Sequence, residues 1–299
     1  MKKRFFCSLA AFVFPLCALL FTCCATPVKS EAQPPSSAAV PVISFVPVQT
    51  AASVIVWTDP VFEEEVRYVL SKPEGEPITE AELQAITSLS LTAGVTSLAD
   101  LRHFQNLREL WVVYHDALEQ PLDLSPIGEL KQLTSLTLSL SGEEYDFALL
   151  ENLPNLTALS LQWHSAGADI SVLSSLTALT NLGLIEMTEL DLKELSGLTQ
   201  LDALYLKYCA VEDITPLEPL VNLKILALQD SPNLCDLSPV AGMKDLAFLD
   251  LTGCIGIKSL EPLRNLEKLT ELFIPDDPAL DRSPVAHVKY INGLKNMAP

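Results

Sequence analysis

The sequence predicts an α/β solenoid: a stack of similar coils with a parallel β-sheet on its concave face and short turns or 3₁₀ segments on its convex face. Three observations predict it. First, the spacing leucine-x-x-leucine-x-leucine, with aliphatic replacements, occurs nine times, as ITSLSL (86–91), LRELWV (107–112), LTSLTL (133–138), LTALSL (156–161), LTNLGL (179–184), LDALYL (201–206), LKILAL (223–228), LAFLDL (246–251) and LTELFI (269–274). Second, the start-to-start intervals are 21, 26, 23, 23, 22, 22, 23 and 23 residues, a period typical of stacked repeats. Third, a second apolar set returns between copies as aspartate, an aliphatic, two variable residues and another aliphatic: Asp123-Leu124 to Ile127, Asp169-Ile170 to Leu173, Asp191-Leu192 to Leu195, Asp213-Ile214 to Leu217 and Asp236-Leu237 to Val240.

From the N-terminus, residues 1–22 place Lys2, Lys3 and Arg4 before an apolar run from Phe5 to Phe21, the shape of a secretory signal. A permanent span needs about 18 apolar residues, but Pro15 and the absence of a following basic cluster weigh against it. Leu20-Phe21-Thr22-Cys23 resembles the lipobox of bacterial lipoproteins. That resemblance implies a diacylglycerol on Cys23 and an anchor worth about 0.8 kcal/mol per buried methylene; cleavage after Ala25 is the competing outcome. Residues 23–47, rich in Pro, Ser and Ala, read as an extended tether. Residues 48–85 precede the repeats, and the bacterial repeat family whose resemblance is given below implies that they are an N-terminal cap. In it, Asp59 and Pro60 open a helix to about Leu70, and Thr79 with Glu82 makes a capping box for a second.

Residues 86–280 hold the nine copies. Each begins as a strand, because its second leucine and third aliphatic alternate with outward residues at the two-residue period of a pleated chain. Pro126, Pro216, Pro239 and Pro262 in the returns, close behind capping aspartates, favour brief 3₁₀ turns over α-helix. Residues 281–299 read as a terminal cap, since an open end of a solenoid would expose a leucine face. There Asp281-Arg282-Ser283-Pro284-Val285 imitates a return with Arg282 in an aliphatic place.

These copies resemble the internalin-like bacterial leucine-rich repeats of about 22 residues, with their aspartate-isoleucine-x-proline-leucine return. The resemblance spans 86 to about 280 and implies a leucine-rich-repeat horseshoe on an exported protein that binds a macromolecule, with adhesion or host contact as one use. One departure stands out. Family repeats carry Asn three residues after the last strand leucine; here those places hold Gly94, His115, Ser141, His164, Met187, Cys209, Ser231, Cys254 and Asp277. Cys, Ser and Asp can replace part of the asparagine's hydrogen bonding, whereas Gly94 and Met187 cannot.

Composition narrows the partner. There are 19 Lys and Arg against 38 Asp and Glu, a formal net charge of −19, which repels nucleic acid and anionic lipid headgroups. The only membrane contact expected is the N-terminal lipid anchor, placing the protein in the cell envelope or, without lipid, among secreted proteins. Binding is expected at the variable outward residues of the strands and the two residues after each. There stand Trp111, Tyr114, Trp163, Tyr205, Tyr208, Phe248 and Phe273, candidate contacts spaced as one stripe; packing beneath loops is the alternative. Glu109, Glu186, Asp202, Asp230, Asp250, Glu271 and Asp276 thicken toward the C-terminal half and favour a basic partner, or simply keep the domain soluble. A protein ligand is the first reading, with a glycan stacked on the rings, or an envelope spacer without a ligand, as alternatives.

No enzymatic chemistry is expected. Cys209 and Cys254 occupy equivalent places two repeats apart, about 10 Å, too far for a disulfide, and read as buried turn thiols; Cys235 is expected to be partly exposed. His103, His115, His164 and His287 are scattered without ligand spacing. With 11 glycines and no phosphate loop, metal motif or hydrolase elbow, neither a cofactor nor a metal is expected.

Overall fold

A computed structural model describes residues 55–92, 94–113, 121–140, 145–163, 169–187 and 190–296, all within the compact unit Ala52–Pro299. The expected signal (1–22), Cys23, the tether (23–47) and Tyr114 lie outside the described residues. Two helices come first, α1 (Pro60–Leu70) and α2 (Glu80–Ala85). Eleven strands follow: β1 (Ser88–Leu91), β2 (Glu109–Val113), β3 (Ser135–Leu140), β4 (Ala158–Trp163), β5 (Asn181–Ile185), β6 (Ala203–Lys207), β7 (Ile225–Ala227), β8 (Phe248–Asp250), β9 (Glu271–Phe273), β10 (Tyr290–Ile291) and β11 (Leu294–Lys295). They form one open sheet in sequence order, parallel throughout except for the antiparallel β10–β11 pair.

Strands β1–β9 fall on the nine copies, and their pairing holds one register. Leu89, Leu110, Leu136, Leu159, Leu182, Leu204, Leu226, Leu249 and Leu272 face one another in a single line. None is more than 1% exposed. Full burial of each leucine is worth roughly 1.5–3 kcal/mol, so a one-residue slip, which would turn the whole line into solvent, is strongly disfavoured. A second line, Leu101, Ile127, Leu150, Leu173, Leu195, Leu217, Val240 and Leu263, is completely buried from the convex side.

Between consecutive strands each return is a 3₁₀ turn of three to five residues, such as Ser125–Glu129, Ser171–Ser175 and Thr215–Leu217. Aspartates hold the entries. Asp123, Asp169, Asp191, Asp213 and Asp236 each accept the backbone N–H two residues ahead, at 2.8–3.0 Å. Hydroxyl and N–H donation from Ser171, Thr215 and Ser238 holds the carboxyls of Asp169, Asp213 and Asp236 below the ordinary carboxylate range.

At three of the turn places after the strands, two thiols and a hydroxyl bond the backbone. Cys209 Sγ donates to Leu184 O at 3.3 Å, Cys254 Sγ to Leu228 O at 2.8 Å, and Ser231 Oγ accepts from Val211 N at 3.2 Å. Both cysteines are buried, and burial pushes their thiols up to about 11.

Two buried acids join the N-terminal helices to the first coil. Asp59 Oδ1 caps α1 through Val61 N and Phe62 N, while Oδ2 accepts from Thr96 N, Thr96 Oγ1 and Ser97 N. Asp100 Oδ2 in turn accepts from Thr58 N and Asp59 N. Burial alone would raise the Asp59 pKa, but the donors on Thr96, Phe62 and Val61 outweigh it and hold the carboxyl below its usual value. The capping box forms as expected, with Thr79 and Glu82 exchanging bonds at the start of α2.

At the other end of the described residues, 283–295 form a tenth coil that the leucine spacing does not display. Ser283–Val285 makes the 3₁₀ return, β10 pairs in parallel with β9, and β11 folds back on β10 through Asn292-Gly293. Among the described residues no helix is long and apolar enough to cross a membrane.

Two outcomes are expected. Asp59→Ala strands several buried N–H donors and lowers unfolding stability by about 2–4 kcal/mol in urea titrations at neutral pH. Because the folded-state pKa of Asp59 is depressed, its contribution is complete above the ordinary carboxylate range and disappears as pH falls through the lowered value, so wild type and variant converge in acid. In alkylation followed by peptide mass spectrometry, exposed Cys235 reacts in the native protein, whereas Cys209 and Cys254 react only after unfolding.

Candidate functional site: the concave face

Positions are counted from the first aliphatic residue of each copy. Positions 4 and 6 point into the core, so 3, 5 and 7 point outward across the sheet. Register then turns the outward residues into rows. Along position 5 run Ser90, Trp111, Thr137, Ser160, Gly183, Tyr205, Ala227, Asp250 and Phe273. Along position 3, Ala203, Ile225, Phe248 and Glu271 stand side by side.

Four of the expected contact residues reach this surface. Trp111, Tyr205, Phe248 and Phe273 are half-buried, flanked along each strand by fully buried core residues. Phe248 and Phe273 touch, with ring centroids 5.7 Å apart. Lys207 Nζ lies 5.9 Å from the Tyr205 ring centroid, a cation over a ring face, and burial raises the Tyr205 hydroxyl pKa.

Trp163 is a correction. It occupies position 8, which shares parity with the core, and β4 stays extended through it, so the indole turns inward and is only 3% exposed. It packs edge-on against Tyr145 and Phe147, at centroid distances of 5.8 and 5.5 Å. It is a core residue, not a contact residue. Tyr208 also holds position 8 and meets the opposite fate. β6 ends at Lys207, Tyr208 adopts a left-handed backbone (φ 57°), and its side chain is 54% exposed at the sheet rim. The same position is left-handed in Glu186, Asp230 and Gly253. At Gly253 a side chain is excluded, since a Cβ would lie 3.0 Å from Asp230 Cα.

With Trp163 withdrawn, the aromatic stripe is interrupted. Thr137, Ser160 and Gly183 separate Trp111 from Tyr205 by four strand steps, about 19 Å. The rings therefore divide into an isolated Trp111 and a C-terminal group of Tyr205, Phe248 and Phe273. Ile225, beside Phe248, enlarges that group and was not singled out from sequence. Its outward third position was the available signal.

Polar residues on the face are mostly paired with each other. Ser139 donates to Gln162, Gln162 donates to Glu186 at 2.7 Å, and Gln229 bonds Asp250, which also accepts from Thr252 N. Asp202 pairs with Lys224 at 2.8 Å. Glu109 and Glu271 are exposed, and their carboxylates make no hydrogen bond or ion pair among the described residues. A depression of about 490 Å³ lies past the strand ends, lined by Leu190, Lys193, Cys209, Val211 and Asp213 and by none of the candidate rings. Among the described residues no three His, Cys, Asp or Glu are placed to hold a metal ion. The arrangement suits contact over a broad surface.

The two tryptophans separate the roles. Trp163→Ala is expected to cost about 3–5 kcal/mol in urea unfolding, against about 1 kcal/mol or less for Trp111→Ala.

No protein-family model matches the sequence, and no curated protein does. Among solved structures, a leucine-rich-repeat protein of Leptospira interrogans is similar with a TM-score of 0.51 and 20% identity, over 70% of this chain and 60% of that one. Internalin F of Listeria monocytogenes gives 0.48 and 21%, over 79% and 96%, and internalin C2 of the same organism 0.48 and 25%, over 64% and 92%. The Leptospira likeness bears on fold alone, and with the open sheet of stacked coils it establishes the chain as a leucine-rich-repeat solenoid.

Proposed function

We propose that the protein is a non-enzymatic binding module whose concave face engages another protein, presented on the cell envelope by a lipidated Cys23 and the tether that follows it. One observation carries the reading: large rings stand at outward positions of a rigid sheet, half-buried by their neighbours yet open on one side. Water-facing aromatic area is costly to leave uncovered, and such rings concentrate at the energetic centres of interfaces. The C-terminal group fits best, with Tyr205, Ile225, Phe248 and Phe273 as an apolar centre and Glu271 at its margin. An apolar centre with a charged rim is the common anatomy of a protein interface. The acidic balance of the chain favours a partner with a basic surface.

The test compares capture of partners from envelope and host-surface extracts by wild type and by Tyr205→Ala/Phe273→Ala. Loss of both rings is expected to weaken the captured partner at least about 100-fold, with the circular dichroism spectrum and melting temperature close to wild type. Equal capture by the two proteins would remove the concave face as the binding surface.

A further inference from the structure

The tenth coil changes what surrounds Glu271. In the register of the sheet this residue faces Phe248 on β8 and Tyr290 on β10, while Phe273 follows two residues later on the same side of β9. Adjacent strands lie about 4.8 Å apart and alternate residues on one strand about 6.6 Å, so the register sets three aromatic residues as the backbone neighbours of Glu271 on this face. Two of the rings are already in contact, at 5.7 Å. The carboxylate is exposed and unpaired among the described residues. Asp250, opposite Phe273, is buried and committed to Gln229 and Thr252 N.

This is the chemistry that receives an organic cation. Ring faces carry negative potential, the attraction grows when the cation leaves water, and a carboxylate beside the rings supplies the counter-charge. The same end of the sheet shows such a contact internally, with Lys289 Nζ 5.0 Å from the Tyr290 centroid. Lys295 is the cross-strand neighbour of Tyr290, and neither lysine forms an ion pair with Glu271. A net charge of −19 draws cations toward the surface generally; Glu271 is distinguished from the other acids by its three aromatic neighbours in the register.

We propose that Glu271, Phe248, Phe273 and Tyr290 form a seat for one basic side chain of the partner, its guanidinium or ammonium group resting on the rings and paired with the Glu271 carboxylate. This rests on the reading of the concave face as the partner surface and specifies the chemistry at its C-terminal end.

The experiment titrates the isotopically labelled full chain with N-acetyl-arginine amide, N-acetyl-lysine amide and the neutral N-acetyl-citrulline amide, following backbone amide resonances. The arginine or lysine compound is expected to shift Glu271–Phe273 and Tyr290, with the stronger of the two identifying the preferred cation, while citrulline leaves them unmoved. Glu271→Gln, which keeps shape and loses charge, is expected to weaken the cation about tenfold. Glu218→Gln, on an exposed convex turn, should change nothing. Equal shifts with citrulline, or unchanged affinity in Glu271→Gln, overturn the seat. If partner capture depends on Tyr205 and Phe273 but these titrations fail, the concave surface stands and the cation seat falls. If the titrations succeed while capture ignores both rings, the site binds organic cations but is not used by the captured partner, and both the partner seat and the protein-binding reading of the wider face fall.

Discussion

The structure depends on one register. Each coil buries its leucines only against the coils before and after it, so no copy has a core of its own, and the line from Leu89 to Leu272 exists only while neighbouring strands stay in step. Everything exposed on the concave face inherits that constraint. Once position 4 is locked inward, positions 3 and 5 are locked outward on every strand, and residues some 23 positions apart in sequence become side-by-side neighbours. Contacts such as Phe248 against Phe273 follow from this regularity, not from any local preference of the two rings.

A repeating core leaves its ends and turns to be satisfied by other means. At the N-terminal end the means is polar: Asp59 and Asp100 thread buried carboxylates between α1 and the first coil, accepting backbone donors that would otherwise be buried without partners. Beyond β9 the tenth coil adds a two-residue parallel strand and a short antiparallel hairpin partner whose residues are exposed. In the turns, Cys209 and Cys254 do as thiols what an amide side chain would do, and burial keeps them protonated so that they can donate.

The binding reading follows from the same architecture. A sheet held this rigidly presents side chains with little conformational freedom to lose, so the aromatic group on β6, β8 and β9 is organised before any partner arrives. Its composition grades along the sheet, from the serine- and threonine-rich strand β3 to the rings and free carboxylate at β9. On the proposed reading, the binding end of the face is the one that the tenth coil completes.

Much of this was legible in the chain alone. The period, the nine strands, the 3₁₀ returns with their aspartate entries, both cap helices and the burial of Cys209 and Cys254 follow from local spacing and capping chemistry, which act within a few residues and need no knowledge of the rest. Position 8 did not follow. Trp163 and Tyr208 are equivalent in sequence count, yet one strand runs on through its residue while the other ends before its residue, which is itself left-handed, so one ring is core and the other surface. Tyr290 was hidden for a related reason: its coil keeps Val288 and Ile291 but lacks the repeated leucine signature, and only pairing with β9 places it beside Glu271. Sequence periodicity reports which residues must be buried to stack the coils; where a strand stops, and which side chains then meet across it, is decided by backbone pairing between segments that the periodicity does not connect.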